Sequence, residues 1–324
     1  MALAESPDKP EASKVHRKLL LGAACMTYLL ITMGGVVCIT GAARACPDWP
    51  GCYGRMVPPL RIDSVIEYAH RLLALCTASL IVIAAAFGWL RYRRLRWLSV
   101  PPLIAIVLVC VVAMFGAMAV LRGLSPALAA VDLGLALLVL ALMVAASVIA
   151  NFGCTHLRFS RFFSDSFGRW ASCCVVAVFA VLATGPLGGE NGPMRKCLAW
   201  PLYTERSAAL GSLDVARYLL ADFAALCIVM LVIQAWHARL SAPALLRSAT
   251  VAAASLVALF VLGAFISTTL PWGAFAYIAI TAGLWAALIA LVMQAGLASG
   301  GIKARTPIGS ALVGQNALPS ERKA

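Results

Sequence analysis

Eight apolar runs divide this 324-residue chain, each close to the roughly 20 residues that cross a hydrocarbon core as a helix. They fall at 19–41, 64–90, 98–121, 125–150, 170–187, 214–236, 246–270 and 272–297, the fifth being the shortest. Within lipid every backbone N–H and C=O must find a partner inside its own segment, which leaves helices as the solution for runs of this length. The predicted fold class is therefore all-α, a polytopic membrane protein of eight transmembrane helices. Only 12% of residues are charged, about half the ~25% of an average soluble domain. Arg122-Gly123 is almost all that separates runs three and four, and Leu270-Pro271 does the same for seven and eight, so both pairs are expected to form tight hairpins.

With the N-terminus inside, 17 of the 26 Lys and Arg fall on one side, among them Lys14, Arg17, Lys18, Arg91, Arg93, Arg94, Arg96, Arg169 and Arg247. That asymmetry follows the positive-inside rule. The net charge of +13 is thereby a matter of topology, and no basic stripe interleaved with aromatics points to nucleic acid. The expected partner along the spans is the lipid bilayer. Residues 1–18 contain Glu5, Asp8 and Glu11, unlike a transit peptide, and read as a cytoplasmic tail, as do 298–324. The expected location is a bacterial inner (plasma) membrane, with both termini cytoplasmic.

The chain also repeats. Cys46-Pro-Asp-Trp49-Pro50 has a counterpart in Cys197-Leu-Ala-Trp200-Pro201, 151 residues later, and a Thr-Gly precedes each at the outer end of a helix. Such self-similarity predicts two duplicated four-helix bundles: an N-terminal half at 19–150, a cytoplasmic linker at 151–169 and a C-terminal half at 170–297.

Two groups of residues carry chemistry. In the first external loop, Cys46 and Cys52 enclose two prolines in a small, stiff ring, in a compartment where disulfides persist. A structural disulfide is the expectation; a redox dithiol is the functional alternative, and a metal site is disfavoured because the loop offers no histidine. Cysteines inside the spans (Cys25, Cys76, Cys110, Cys173, Cys174, Cys227) are expected to be buried as small hydrophobes. The second group lies below the loop. Helices two, four, six and eight enter from outside, so at 1.5 Å per residue Glu67 and His70 lie roughly 5–10 Å down and Asp132 and Asp222 roughly 12 Å. Glu67, His70 and Arg71 are spaced three and four apart and share a helical face. The plain account of the charges is pairing, Glu67 with Arg71 and Arg217 with Asp222 or Asp132. His70, the one histidine within a span, is a natural haem-iron ligand beside a carboxylate in an apolar bundle.

Gly34-Gly35, Thr40-Gly41, CPDWPGC at 46–52 and EYAHR at 67–71 together resemble the heme A synthase family of cytochrome oxidase assembly. The resemblance spans most of the chain. It implies an oxidoreductase that converts the ring methyl of heme O to the formyl of heme A, each half holding a haem between paired histidines on its even-numbered helices. It further implies a catalytic first half, with Glu67 and Arg71 in the catalytic set and the loop cysteines involved, and a heme b cofactor in the second. The expected partners are a haem substrate, heme O synthase and cytochrome oxidase subunits.

Against that pattern, the helix-four histidine is replaced by Asp132, Ala221 falls opposite His70 in the repeat, helix eight has no histidine, and the arginine usual between the GG and TG pairs is Cys38. At most one haem per chain is expected, with His70 as iron ligand and Asp132 beside it. A non-catalytic haem-binding or oxidase-assembly scaffold is the alternative reading. A small-molecule transporter, with the carboxylates as a proton relay, is a third.

Overall fold

The computed structural model describes residues 12–152, 166–188, 197, 199–202, 211–237, 243–265 and 271–301. Most of the 151–169 linker and of both tails, with His156 and Leu270, lies outside them. Eight long helices run in the order α1 (Lys14–Thr40), α2 (Ile62–Tyr92), α3 (Arg96–Leu121), α4 (Pro126–Phe152), α5 (Ser166–Ala183), α6 (Ser212–His237), α7 (Pro243–Phe265) and α8 (Pro271–Gly301). Among the described residues seven are long and apolar enough to cross a membrane and α5 is shorter, the same run that is shortest in the sequence.

Local chemistry sets the ends. The Ser13 side chain accepts the His16 N–H at 3.2 Å to cap α1, as N-cap serines do. Gly41 closes that helix in the left-handed region, at φ 68°, where a Cβ would be unfavourable. Helices α4, α7 and α8 each begin on proline, whose missing N–H costs nothing at a first helical position.

Helices α1 to α4 close a ring in which each packs on its neighbours, and α5 to α8 close a second. Among the described residues, the backbones of the diagonal pairs, α2 with α4 and α6 with α8, do not come close. The rings meet along α1, α4, α5 and α8. At that seam the Tyr28 hydroxyl donates to the Ala279 carbonyl at 3.1 Å, and Trp285 Nε1–H donates to Leu137 O at 2.9 Å. Gly35 lets α1 approach α8 closely, since a Cβ there would meet Ile278 Cγ2 at 2.6 Å.

The two rings are filled differently. One large core cluster occupies the second ring and the seam, and reaches the end of the helices that bears the Cys46–Cys52 loop through Leu182, Trp200, Leu202, Ala221 and Tyr277. The first ring is packed lower down, by Leu20, Ala84, Leu98 and Ala146 and by Ala23, Ile81, Ala105, Val139 and Met143. Neither of the first ring's own two clusters includes a residue at the level of Gly34, His70 and Asp132, where the large cluster runs along the seam beside them.

The span cysteines divide, contrary to expectation. Cys174 and Cys227 are buried, whereas Cys25, Cys76, Cys110 and Cys173 are exposed on the outer face of the helices. An apolar run has an outward side as well as an inward one, and in a bilayer a thiol is as acceptable against lipid as in a core.

Candidate functional site

The loop after α1 folds around its two cysteines, which are joined as a disulfide, Cys46–Cys52, both fully buried. Beyond Cys52 the chain reverses: Cys52 N–H donates to Arg55 O at 3.0 Å and Arg55 N–H returns to Cys52 O at 3.2 Å. Tyr53 and Gly54 both take positive φ, as the central residues of a type I′ turn do. The Asp48 carboxylate accepts their two N–H groups, each at 2.6 Å. The Gly54 amide, then that of Tyr53 and the nearby Arg71 guanidinium, hold its pKa below the ordinary value. The Ser64 hydroxyl, on the first turn of α2, donates to Ala45 O at 3.3 Å and moors the loop from below.

The stronger mooring is Arg71. Its Nε donates to Glu67 Oε1 at 3.0 Å. Its terminal nitrogens donate to the carbonyls of Asp48 at 2.7 Å, Gly51 at 2.5 Å and Cys46 at 3.2 Å. One planar fork thus gathers a carboxylate and three carbonyls of the disulfide ring, a task that suits arginine and not lysine. The pair is well shielded, its side chains retaining 11% and 5% exposure.

One residue earlier, His70 Nδ1 is buried without a hydrogen-bond partner among the described residues. Gly34 packs against the ring, a Cβ there standing 3.4 Å from His70 Cε1, at ordinary contact distance. On the diagonal helix, Asp132 Oδ1 is likewise buried and unpartnered. His70 lies eight residues into α2 and Asp132 six into α4, at comparable depths of roughly 12 and 9 Å by the helical rise. Most buried side-chain polar atoms in a finished fold have a partner. His70 Nδ1 and Asp132 Oδ1 are two that do not among the described residues, on helices whose backbones lie on opposite sides of the ring. The ion pair expected between Arg217 and Asp132 is not made.

The second ring answers the first position by position. At the repeat offset of 151 residues, Tyr218 stands for Glu67, Ala221 for His70, Ala199 for Asp48 and Leu202 for Gly51. The loop mooring survives with other donors. Arg217 donates to Ala199 O at 3.1 Å, and the Tyr218 hydroxyl donates to Leu202 O at 2.7 Å, the same two carbonyl positions that Arg71 holds in the first ring. The unpartnered pair does not survive. Counted from Pro126 and Pro271, each at the start of its helix, Tyr277 occupies the level of Asp132 and is buried. Its hydroxyl donates to Pro201 O at 3.3 Å and to Trp200 O at 3.4 Å. Trp200 is buried to 1% exposure, whereas its counterpart Trp49 keeps 50%. Among the described residues the second ring has no histidine at this level, and Tyr277 and Trp200 pack there.

The structure brings Glu67, Arg71 and the Cys46–Cys52 loop into direct hydrogen-bonding contact, while His70 Nδ1 and Asp132 Oδ1 make no hydrogen bond among the described residues. Sequence reasoning missed a second disulfide, Cys38–Cys197, spanning 159 residues and joining α1 to the loop of the second half. The available signal was parity: once Cys46 and Cys52 pair, Cys38 and Cys197 are the two cysteines left near the outer ends of helices.

A family model described as cytochrome oxidase assembly protein matches residues 17–298. Similar proteins include three heme A synthases. That of Alkalihalophilus pseudofirmus is 25% identical over 194 residues, 58% of this chain and 65% of its own. That of Halalkalibacterium halodurans is 28% identical over 141 residues, 42% and 47% respectively. That of Bacillus cereus is 30% identical over 124 residues, 37% and 40%. This chain spans less than two thirds of the length of each.

Proposed function

The chain belongs to the cytochrome oxidase assembly protein family, and we propose that it is a heme A synthase-type oxidoreductase working with a single haem, in the first ring. The reading places the loop end outside a bacterial inner membrane and both termini in the cytoplasm. The observation that carries it is the pair of buried, unpartnered atoms, His70 Nδ1 and Asp132 Oδ1, on diagonal helices of a ring whose own two apolar clusters include no residue at that level.

In this reading the haem is the substrate: its ring methyl would gain one oxygen atom from water and give up four protons and four electrons in becoming a formyl, the electrons passing to an external oxidant of the quinone or dioxygen class. His70 would hold the iron, and Asp132 would hold a proton or accept a hydrogen bond from water. Glu67 would accept protons released near the haem edge and pass them towards the external loop, while Arg71, always charged, keeps the carboxylate oriented. The disulfide ring lies over this group and limits its contact with bulk water. Heme O synthase, as source of the substrate, and the oxidase subunits that receive the product are the partners this implies.

The packed second ring gives one specific ground for a second reading, a haem-binding assembly scaffold without turnover. Purification in detergent, haem extraction and mass identification separate the two. Heme O and heme A together, in a ratio that shifts on deletion of Glu67 chemistry, support the enzyme; a single unmodified haem supports the scaffold, and no haem overturns both.

A further inference from the structure

At the end of the molecule opposite the disulfide loop, the short turn between α2 and α3 carries Arg93, Arg94 and Arg96, all exposed. Together with Trp89, Ser99 and Val100 they line a groove of about 670 Å³, within the ~300–1,000 Å³ typical of small-ligand sites. No acidic residue lines it. Ser99, fully buried, lies at the first turn of α3, where its N–H and that of Leu98 donate to Leu95 O. The three guanidinium groups favour an anion with several oxygens.

The other walls are apolar. Trp89 keeps 50% exposure and Val100 36%, and beside the groove Leu90, Trp97 and Ile104 are 82%, 46% and 45% exposed. Exposed tryptophans at a helix end are the mark of a membrane interface. A ligand that fills this groove therefore has a phosphate at one end and alkyl chains at the other. A soluble phosphate would leave the apolar walls unused. A protein segment would need acidic side chains to meet three arginines within a few ångströms of the acyl region.

We propose that this groove is a binding site for the headgroup of an anionic phospholipid of the leaflet facing the cytoplasm, on the orientation given above. The lipid phosphate lies against Arg93, Arg94 and Arg96, and its first acyl carbons run along Trp89 and Val100. The site fixes the α2–α3 hairpin to the membrane and is independent of the haem reading, since none of its residues belongs to the Glu67–His70 group.

The test uses the full chain in mild detergent. Delipidated protein is titrated with phosphatidylglycerol, with phosphatidylcholine and with inorganic phosphate, and bound lipid is counted by native mass spectrometry. Expected are one tightly retained phosphatidylglycerol per chain, no comparable retention of phosphatidylcholine, and no competition by inorganic phosphate at equal concentration. The double variant Arg94→Gln, Arg96→Gln should retain the lipid about 25-fold less well, taking about fivefold for each basic residue at a membrane surface. Should that variant misfold, Trp89→Ala, which leaves the charge intact, should still loosen the lipid severalfold. Equal retention of the two lipids, displacement by inorganic phosphate, or unchanged retention in a folded variant would each overturn the assignment.

Discussion

Arg71 and Glu67 stand 3.0 Å apart on one face of α2, and the same guanidinium holds the carbonyls of Cys46, Asp48 and Gly51. The carboxylate and the disulfide ring are therefore positioned by a single side chain. Neither can move without disturbing the other, which couples the loop to the level of His70 one residue away.

Arg71→Lys should be nearly as damaging as Arg71→Ala. A lysine keeps the charge but cannot serve Glu67 and three separate carbonyls from one point. Breaking a shielded pair by removing one partner costs about 3–5 kcal/mol, and the lysine variant should recover only a small part of it. Thermal unfolding in detergent measures the loss, and proteolysis within residues 46–56 reports whether the loop has come free. A lysine variant as stable as the parent would reject the clamp.

The loop should also loosen in acid. The Asp48 carboxylate is held below its ordinary value near 3.8 by the amides of Gly54 and Tyr53. A group with a lowered folded-state pKa contributes stability that is fully present above its unfolded value and is lost as pH falls through its folded value. Loop order should thus be constant from neutral pH down to about 4 and decline below it. Hydrogen exchange at the Tyr53 and Gly54 amides follows the change directly. Asp48→Asn, which keeps one acceptor and loses the charge, should abolish the acid transition while raising exchange at all pH values.

Much of this architecture is legible in the chain alone, for identifiable reasons. Helices declare themselves because a bilayer demands long apolar runs, and Glu67, His70 and Arg71 declare themselves because a spacing of three and four puts them on one face. Cys38–Cys197 does not, because that pairing depends on the second-half loop folding back over the outer end of α1. The filled second ring is equally hidden. Ala221 announces a missing imidazole, but a tyrosine in an apolar helix such as Tyr277 reads as ordinary core until the fold turns its hydroxyl towards Trp200 and Pro201. The exposed thiols at Cys25 and Cys76 escaped for a related reason, since hydropathy cannot tell a lipid-facing position from an interior one.

The two halves should be covalently joined. A digest under non-reducing conditions, with free thiols blocked, should yield one peptide pair linked through Cys38 and Cys197 and a separate internal link between Cys46 and Cys52. Cys197→Ser should lower stability by about 2–4 kcal/mol, the usual worth of a disulfide that closes a long loop. Free Cys38 and Cys197 in protein isolated without reductant would refute the bridge between the halves.

Haem binding gives the sharpest test of the asymmetry between the rings. Wild-type protein should hold close to one haem per chain, because among the described residues only the first ring offers a histidine at this level. Its iron should show a weakly ligated, high-spin spectrum, since a carboxyl group opposite His70 is a poor partner for haem iron compared with a second imidazole. His70→Ala should remove the haem, and Asp132→His should convert the spectrum to a six-coordinate, low-spin form by setting a second imidazole on the diagonal helix. The corresponding change in the second ring, Ala221→His with Tyr277→His, should not add a second haem. Trp200 would still fill that space, and the loss of the Tyr277 hydroxyl would leave the Trp200 and Pro201 carbonyls unpaired, at about 1–3 kcal/mol for each buried group without a partner. Two haems in the wild-type chain, or a bis-imidazole spectrum without any added histidine, would show that the second ring opens in a way its packing does not allow.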